Sequence, residues 1–285
     1  PFIFAVGLTA SQSTSQPQAQ SNLMTYLDRQ TLTARAARAA YFQPDYSTIA
    51  AYESSLAPYR ADLAQVIGLP ESCLQGATPE LLEDTSVGIV EGVEIRLLHL
   101  RVCNGELEWQ ALTGGSGPLA LVIHGSYGSP ERVIGLDSTD DYTHHIGQHL
   151  IQAGYFVVAP LIVTDNQNSL DFNNTRNDLD RRAMSLGYRL VGIETGAMIS
   201  AMDYFSTDER IVYGISLGGL LAQMVGAMDN RFGTVIISQY FEDREGKLVS
   251  RDYPLSYLPI DNADYFIFPG YLQRFDDVIS AGLIA

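Results

Sequence analysis

The stretch Val212-Tyr213-Gly214-Ile215-Ser216-Leu217-Gly218-Gly219-Leu220 constrains this chain more than any other. An apolar run, Arg210-Ile211-Val212-Tyr213, leads into it, and Leu220-Leu221-Ala222-Gln223-Met224-Val225 leads out. That order predicts strand, sharp turn, helix, the setting in which Gly-x-Ser-x-Gly is a nucleophile elbow. Ser216 is the candidate nucleophile, held at strained dihedrals so that its hydroxyl stands above the sheet. Gly214 and Gly218 are the residue type the turn needs, because side chains there would collide across it. The helix that follows points its positive end at the site, and the backbone N–H of Leu217 can face a developing oxyanion.

Composition narrows the setting. A chain of 285 residues is long enough for one large α/β domain with a sizeable core. The net charge of −16 argues against a nucleic-acid partner, whose phosphates demand a basic surface, and against docking on anionic lipid. The first residues, Pro1-Phe2-Ile3-Phe4-Ala5-Val6-Gly7-Leu8-Thr9-Ala10, read as the end of a signal-peptide apolar region with a small-residue cleavage site, which implies a secreted or periplasmic protein. That run is too short to span a membrane, and no other segment approaches the length required. Cys73 and Cys103 are the only cysteines; they either form one disulfide or stand as two buried thiols. Their spacing is not that of a metal site, and no cofactor is expected.

Along the chain, residues 1–20 read as signal-peptide remnant and flexible linker. Residues 21–86 read as an N-terminal helical extension packed against the main domain: helix over 22–40, with Leu23, Tyr26 and Leu27 at helical spacing, helix again within 46–67, a stop at Gly68-Leu69-Pro70, then loop over 70–86. Residues 87–285 read as the main domain. Strand signals at 87–90, 93–100 and 106–112 open a sheet in antiparallel fashion. Unbroken apolar runs at 119–123 and 155–160 predict parallel strands buried on both faces. Helix is expected around 142–153 and 179–205, a further strand at 234–238, and helix from 272 to the end. The alternation predicts an α/β fold, a mostly parallel sheet with helices on both faces.

At this point the residues resemble the α/β-hydrolase superfamily over about residues 87–285, with His124-Gly125 after the third strand and Gly-x-Ser-x-Gly after the fifth. More narrowly, the chain is similar to the acetyl xylan esterase and dienelactone hydrolase-like branch. The pieces that carry this are His124-Gly125-Ser126-Tyr127-Gly128, Gly154-Tyr155-Phe156-Val157-Val158-Ala159-Pro160 and Gly214-Ile215-Ser216-Leu217-Gly218-Gly219. Dienelactone hydrolases use cysteine as nucleophile; Ser216 favours the esterase side. The resemblance implies a second oxyanion donor after the third strand, the backbone N–H of Ser126, with Tyr127 as the alternative.

A serine hydroxyl needs a base, and in this superfamily the order is Ser, then Asp or Glu, then His. The five histidines, His99, His124, His144, His145 and His149, all precede Ser216. The family's acid follows the seventh strand and its histidine the eighth, whereas the residues here give about six strands. The expectation is therefore a sheet missing its last strands, with the base beyond Ala285. Within the chain, Asp243, beside Glu242, is the candidate acid; the competing reading of Glu242-Asp243-Arg244-Glu245-Gly246-Lys247 is a solvated charged loop. His124 is read as bracing the oxyanion turn, with a role as base the alternative, and His144 and His145 as packing or surface residues. Asp140-Asp141 reads as a helix cap, Arg181-Arg182 as a solvated helix face or ion-pair partner in preference to an anion site, Asn173-Asn174-Thr175 as a glycosylation sequon, and Trp109 as packing on the sheet. Tyr127 and Tyr240 are candidates to line a cleft.

The expected function is an exported serine esterase acting on an ester of a small acyl group, acylated carbohydrate among the candidates. The alternative is a hydrolase-fold binding or scaffold protein without catalysis.

Overall fold

The stretches 119–123, 156–160 and 210–215 become neighbouring parallel strands whose apolar side chains are divided between two core clusters, one on each face. The computed structural model describes residues 16–139, 142–163, 176–250, 252–254, 256–258 and 264–285. The expectations for residues 1–10, for Asp140-Asp141 and for Asn173-Asn174-Thr175 lie outside the described residues.

The sheet has seven strands: β1 (Glu80–Val90), β2 (Val93–Val102), β3 (Leu107–Gly115), β4 (Leu119–Ile123), β5 (Phe156–Pro160), β6 (Arg210–Ile215) and β7 (Thr234–Ser238). Their order is β1-β2-β3-β5-β4-β6-β7. β1, β2, β3 and β5 pair antiparallel in succession, and β5, β4, β6 and β7 pair parallel. Among the described residues the strands number seven against the expected count of about six, and the first, expected only over 87–90, begins at Glu80 where a loop was expected. Its early residues are exposed and acidic, as an outermost strand tolerates.

All five residues of β4 are buried. Leu119, Leu121 and Ile123 face one cluster with Val158, Val212 and Leu220; Ala120 and Val122 face the other with Val157 and Ala159. Each large side chain so buried contributes about 1.5–3 kcal/mol. The helices α4 (Pro130–Ile134) and α5 (Ile146–Gln152) cover the second face. On the first lie α7 (Leu190–Ala201) and α8 (Leu217–Met228), with α6 (Arg176–Ser185) packed on α7. The single helix expected over 179–205 is broken between α6 and α7 around Gly187, which sits at φ 86°. Likewise 142–153 is helical only from Ile146.

Among the described residues three α-helices precede the sheet: α1 (Gln16–Tyr41), α2 (Ile49–Ser55) and α3 (Ala57–Val66). α1 starts within the stretch expected to be linker. Leu23, Tyr26 and Leu27, whose spacing predicted packing, are exposed. The helix is seated by its last turns instead, where Arg38 is buried and Tyr41 and Phe42 join the core. After β7 come α9 (Arg244–Val249), α10 (Tyr271–Arg274) and α11 (Asp277–Gly282). The last two replace the one helix expected from 272 onward, with Asp276 capping α11 through the N–H of Ile279 at 2.8 Å. Cys73 and Cys103 form a disulfide that ties the turn after α3 to the end of β2.

Candidate active site

The elbow is built by steric exclusion. A Cβ on Gly214 would land on the carbonyl of Gly218, and one on Gly218 would land on the carbonyls of Ile123 and His124. With both positions empty, β6 turns into α8 within one residue. Ser216 takes φ 56° and ψ −118°, a conformation that L-residues adopt only when the surroundings impose it. Its N–H donates to Ser238 O at 2.9 Å, fastening the turn to the end of β7. Ser216 is half-buried, and its hydroxyl makes no hydrogen bond among the described residues. Leu217, fully buried, opens α8, so its N–H is among the first-turn donors that have no partner within the helix.

The register of the sheet brings the second half of the site alongside. Ile123 pairs with Gly214, so the residues after β4 and after β6 emerge at the same edge. A Cβ on Gly125 would lie 3.1 Å from Ser216 Cβ and 3.0 Å from Ile215 O, which sets the loop against the elbow. Gly128 N–H donates to Gly125 O at 3.1 Å, closing a turn around Ser126 and Tyr127. The N–H groups of those two central residues are not used by that turn bond. Ser126 is half-buried and Tyr127 is 59% exposed. Tyr142, which the sequence reading passed over, places its hydroxyl 2.8 Å from the Cβ positions of both Gly125 and Gly128, packed into the same turn.

Among the described residues no histidine hydrogen-bonds to Ser216. His124 is 1% exposed, and its Nδ1–H donates to Gly125 O at 2.8 Å, the bracing role expected of it. His145 precedes α5 and donates from Nδ1 to Arg132 O at 2.8 Å. His144 adjoins it at φ 48°, His149 lies in the last turn of α5, and His99 meets Glu108 at 3.1 Å on the antiparallel strands.

Asp243, the candidate acid, caps α9 by accepting from Gly246 N–H at 3.0 Å. The competing picture of a solvated loop is corrected: Arg244, Glu245 and Lys247 are buried. Arg244 pairs with Asp277 at 2.9 Å, Lys247 with Glu242 at 2.8 Å, and Glu245 with Arg38 at 2.7 Å. Burial pushes the Asp277 carboxyl above its ordinary range despite the Arg244 charge beside it. Tyr240, expected to line a cleft, is buried; its ring carries Arg244 on it at 4.9 Å and its Cβ lies against Gly219 at the start of α8. The charge alternation of 242–247 gave no sign of this, because the partners of Arg244 and Glu245 come from α11 and α1. Arg181 behaves as read, exposed and paired with Asp264. Among the described residues no group of His, Cys, Asp and Glu could hold a metal ion, and no helix is long and apolar enough to cross a membrane.

No family model matches the chain, and no curated protein matches it in sequence. Among solved structures it is similar to a Bacteroides fragilis NCTC 9343 protein assigned as an acetyl xylan esterase, at 16% identity and a TM-score of 0.58, over 88% of this chain and 71% of that one. It also matches, at a TM-score of 0.37, the acetyl xylan esterase from Paenibacillus sp. R4, with 15% identity over 67% of this chain and 60% of that one. The first likeness, together with the strand order and the strand–turn–helix at Ser216, shows the α/β-hydrolase fold.

Proposed function

We propose that the chain is a serine hydrolase of carboxylic esters, working through an acyl-enzyme on Ser216. Ser216 Oγ attacks the ester carbonyl, and the N–H groups of Leu217 and of Ser126, or Tyr127 in its place, receive the oxyanion. The alcohol leaves, and water then releases the acid. The observation that carries this reading is the strained backbone of Ser216 at the mouth of α8, with the Gly125 loop laid against it. Strain of this kind persists where the surroundings over-determine it, and it clusters at functional sites. Each oxyanion donor is worth about 2.7–4 kcal/mol of transition-state stabilisation. The likeness to a protein assigned as an acetyl xylan esterase supports small acyl groups, carbohydrate esters among them. The disulfide supports an oxidising compartment, in keeping with export.

A non-catalytic hydrolase-fold protein is the second reading, favoured by the absence of a base hydrogen-bonded to Ser216 among the described residues. One experiment separates them. A fluorophosphonate probe, followed by peptide mass spectrometry, is expected to label Ser216 and to leave Ser216→Ala unmodified. Labelling elsewhere, or none together with no hydrolysis of p-nitrophenyl acetate, rejects the hydrolase in favour of the second reading.

A further inference from the structure

The edge of the sheet that presents Ser216 also carries a cavity that the reaction does not use. It holds about 290 Å3 and is walled by Trp109 and Gln110 on β3, Leu161 just past β5, and Ile193, Glu194 and Met198 on α7. That is close to the lower end of the volumes, about 300–1,000 Å3, usual for small-molecule sites. Its position follows from register. Leu121 pairs with Val158 and Ile123 with Gly214, so Leu161 emerges level with His124 and beside the end of β6. β5 and β6 are separated by β4 alone, two strand spacings or about 10 Å.

The lining states what it would accept. Its charges are already compensated. Arg176, fully buried, grips Glu194 with both terminal nitrogens, and Val163 N–H donates to the same carboxylate at 3.2 Å. Glu108 is met by His99 at 3.1 Å and Arg101 at 3.8 Å. A charged ligand would therefore find no counter-ion. Trp109 is 6% exposed, and among the described residues its indole N–H and the Gln110 side-chain amide make no hydrogen bond. Both groups remain open to solvent, so a ligand oxygen placed there could accept from them. The indole face and the Met198 thioether suit a flat ring.

We infer that this cavity binds an uncharged aryl or short aliphatic group carrying an oxygen acceptor. Resting on the hydrolase reading above, that group is the end of the ester that does not react at Ser216. The site lies off the elbow, so its occupancy can be read without turnover.

Trp109 is the only tryptophan in the chain, so its fluorescence reports this wall alone. The Ser216→Ala protein titrated with benzyl acetate is expected to show a saturable change, at least tenfold weaker with ethyl acetate. Ile193→Phe, at a half-buried position on the rim, is expected to weaken benzyl acetate at least tenfold. Leu161→Phe, at an exposed position, repeats the test should Ile193→Phe disturb the fold by circular dichroism. A linear, non-saturating change, or equal affinity in both rim variants, overturns the site. Turnover without any Trp109 response rejects the cavity and leaves the hydrolase; saturable binding without Ser216-dependent turnover keeps the cavity and rejects the hydrolase.

Discussion

The turn that presents Ser216 and the contact between α1 and α9–α11 are held by opposite means. At the turn the backbone packs on itself. Gly214 lies against the Gly218 carbonyl and Gly218 against those of Ile123 and His124, with the apolar face of α8 behind them. At the other contact, long charged side chains cross between segments remote in sequence. Arg35 and Arg38 reach Glu245, Arg38 also approaches Asp276, and Arg244 lies under Tyr240 against Asp277. A site held by missing side chains tolerates almost no addition, whereas a site held by ion pairs tolerates replacement of both partners better than loss of one. The first fixes the backbone at Ser216; the second fixes the segment after β7.

The largest effect expected is at the turn. Gly214→Ala puts a methyl on the Gly218 carbonyl and against Ala222 Cβ at 2.9 Å, with no flexible side chain to yield. A loss of about 4 kcal/mol or more is expected, enough to remove the cooperative transition in urea. A variant that unfolds within about 1 kcal/mol of the parent would show that the turn has room, and the contrast with the ion-paired contact would fail.

Next is the buried pair. Arg244→Met leaves the Asp277 carboxylate buried without its cation, a defect of about 3–5 kcal/mol. The double variant Arg244→Met with Asp277→Leu removes both charges and is expected to recover most of that loss. The comparison is sharpened if urea unfolding shows this recovery. It is broken if the single change costs under 1 kcal/mol, since the segment would then be held by its aromatic packing alone.

Legibility in the sequence follows the same division. The elbow could be read because everything it needs lies within a few residues: two glycines, a serine and apolar runs on either side. The parallel strands could be read because burial on both faces leaves an unbroken apolar run. β1 could not be read over Glu80–Ser86, since an outermost strand with Glu80, Glu83 and Asp84 shows no alternation. The ion-paired contact was invisible because Arg35 and Glu245 are 210 residues apart, and nothing in Glu242-Asp243-Arg244-Glu245-Gly246-Lys247 separates a solvated charge run from a buried one. Leu23, Tyr26 and Leu27 misled in the opposite sense: helical spacing of apolar residues was present, but no partner surface among the described residues covers them. At the candidate site, the strand–turn–helix around Ser216 and Leu217 was legible from local sequence and the turn holding Ser126 and Tyr127 was implied by the family resemblance, while Tyr142 reaches that turn only through the fold.

The disulfide between Cys73 and Cys103 is a third kind of tie, covalent, joining the extension to the end of β2 across a separation of 30 residues. On the chain-entropy account, a loop of this size contributes about 3–4 kcal/mol by restricting the unfolded state. Cys73→Ser with Cys103→Ser is expected to lower the urea midpoint accordingly while fluorophosphonate labelling of Ser216 in the folded protein persists. Labelling lost at denaturant concentrations where the variant remains folded would show that the extension shapes the site itself.

The smallest effect belongs to Glu245, and it carries a pH signature. Burial alone would raise its carboxyl, but the hydrogen bonds and charges of Arg35 and Arg38 outweigh burial and hold it below its ordinary value of 4.5. A depressed carboxylate stabilises the fold fully above its unfolded pKa and loses that contribution as pH falls through the folded one. Glu245→Gln should therefore cost about 1–2 kcal/mol at neutral pH. Arg38 would keep Asp276 at 3.3 Å and the Leu272 carbonyl, so the extension should stay docked. The difference between parent and variant should shrink as urea unfolding is repeated at pH 5, 4 and 3, because protonation removes from the parent what the substitution removes from the variant. A difference unchanged down to pH 3 would mean that Glu245 acts there through packing and not through charge, and the contact between α1 and α9 would then resemble the turn it is set against.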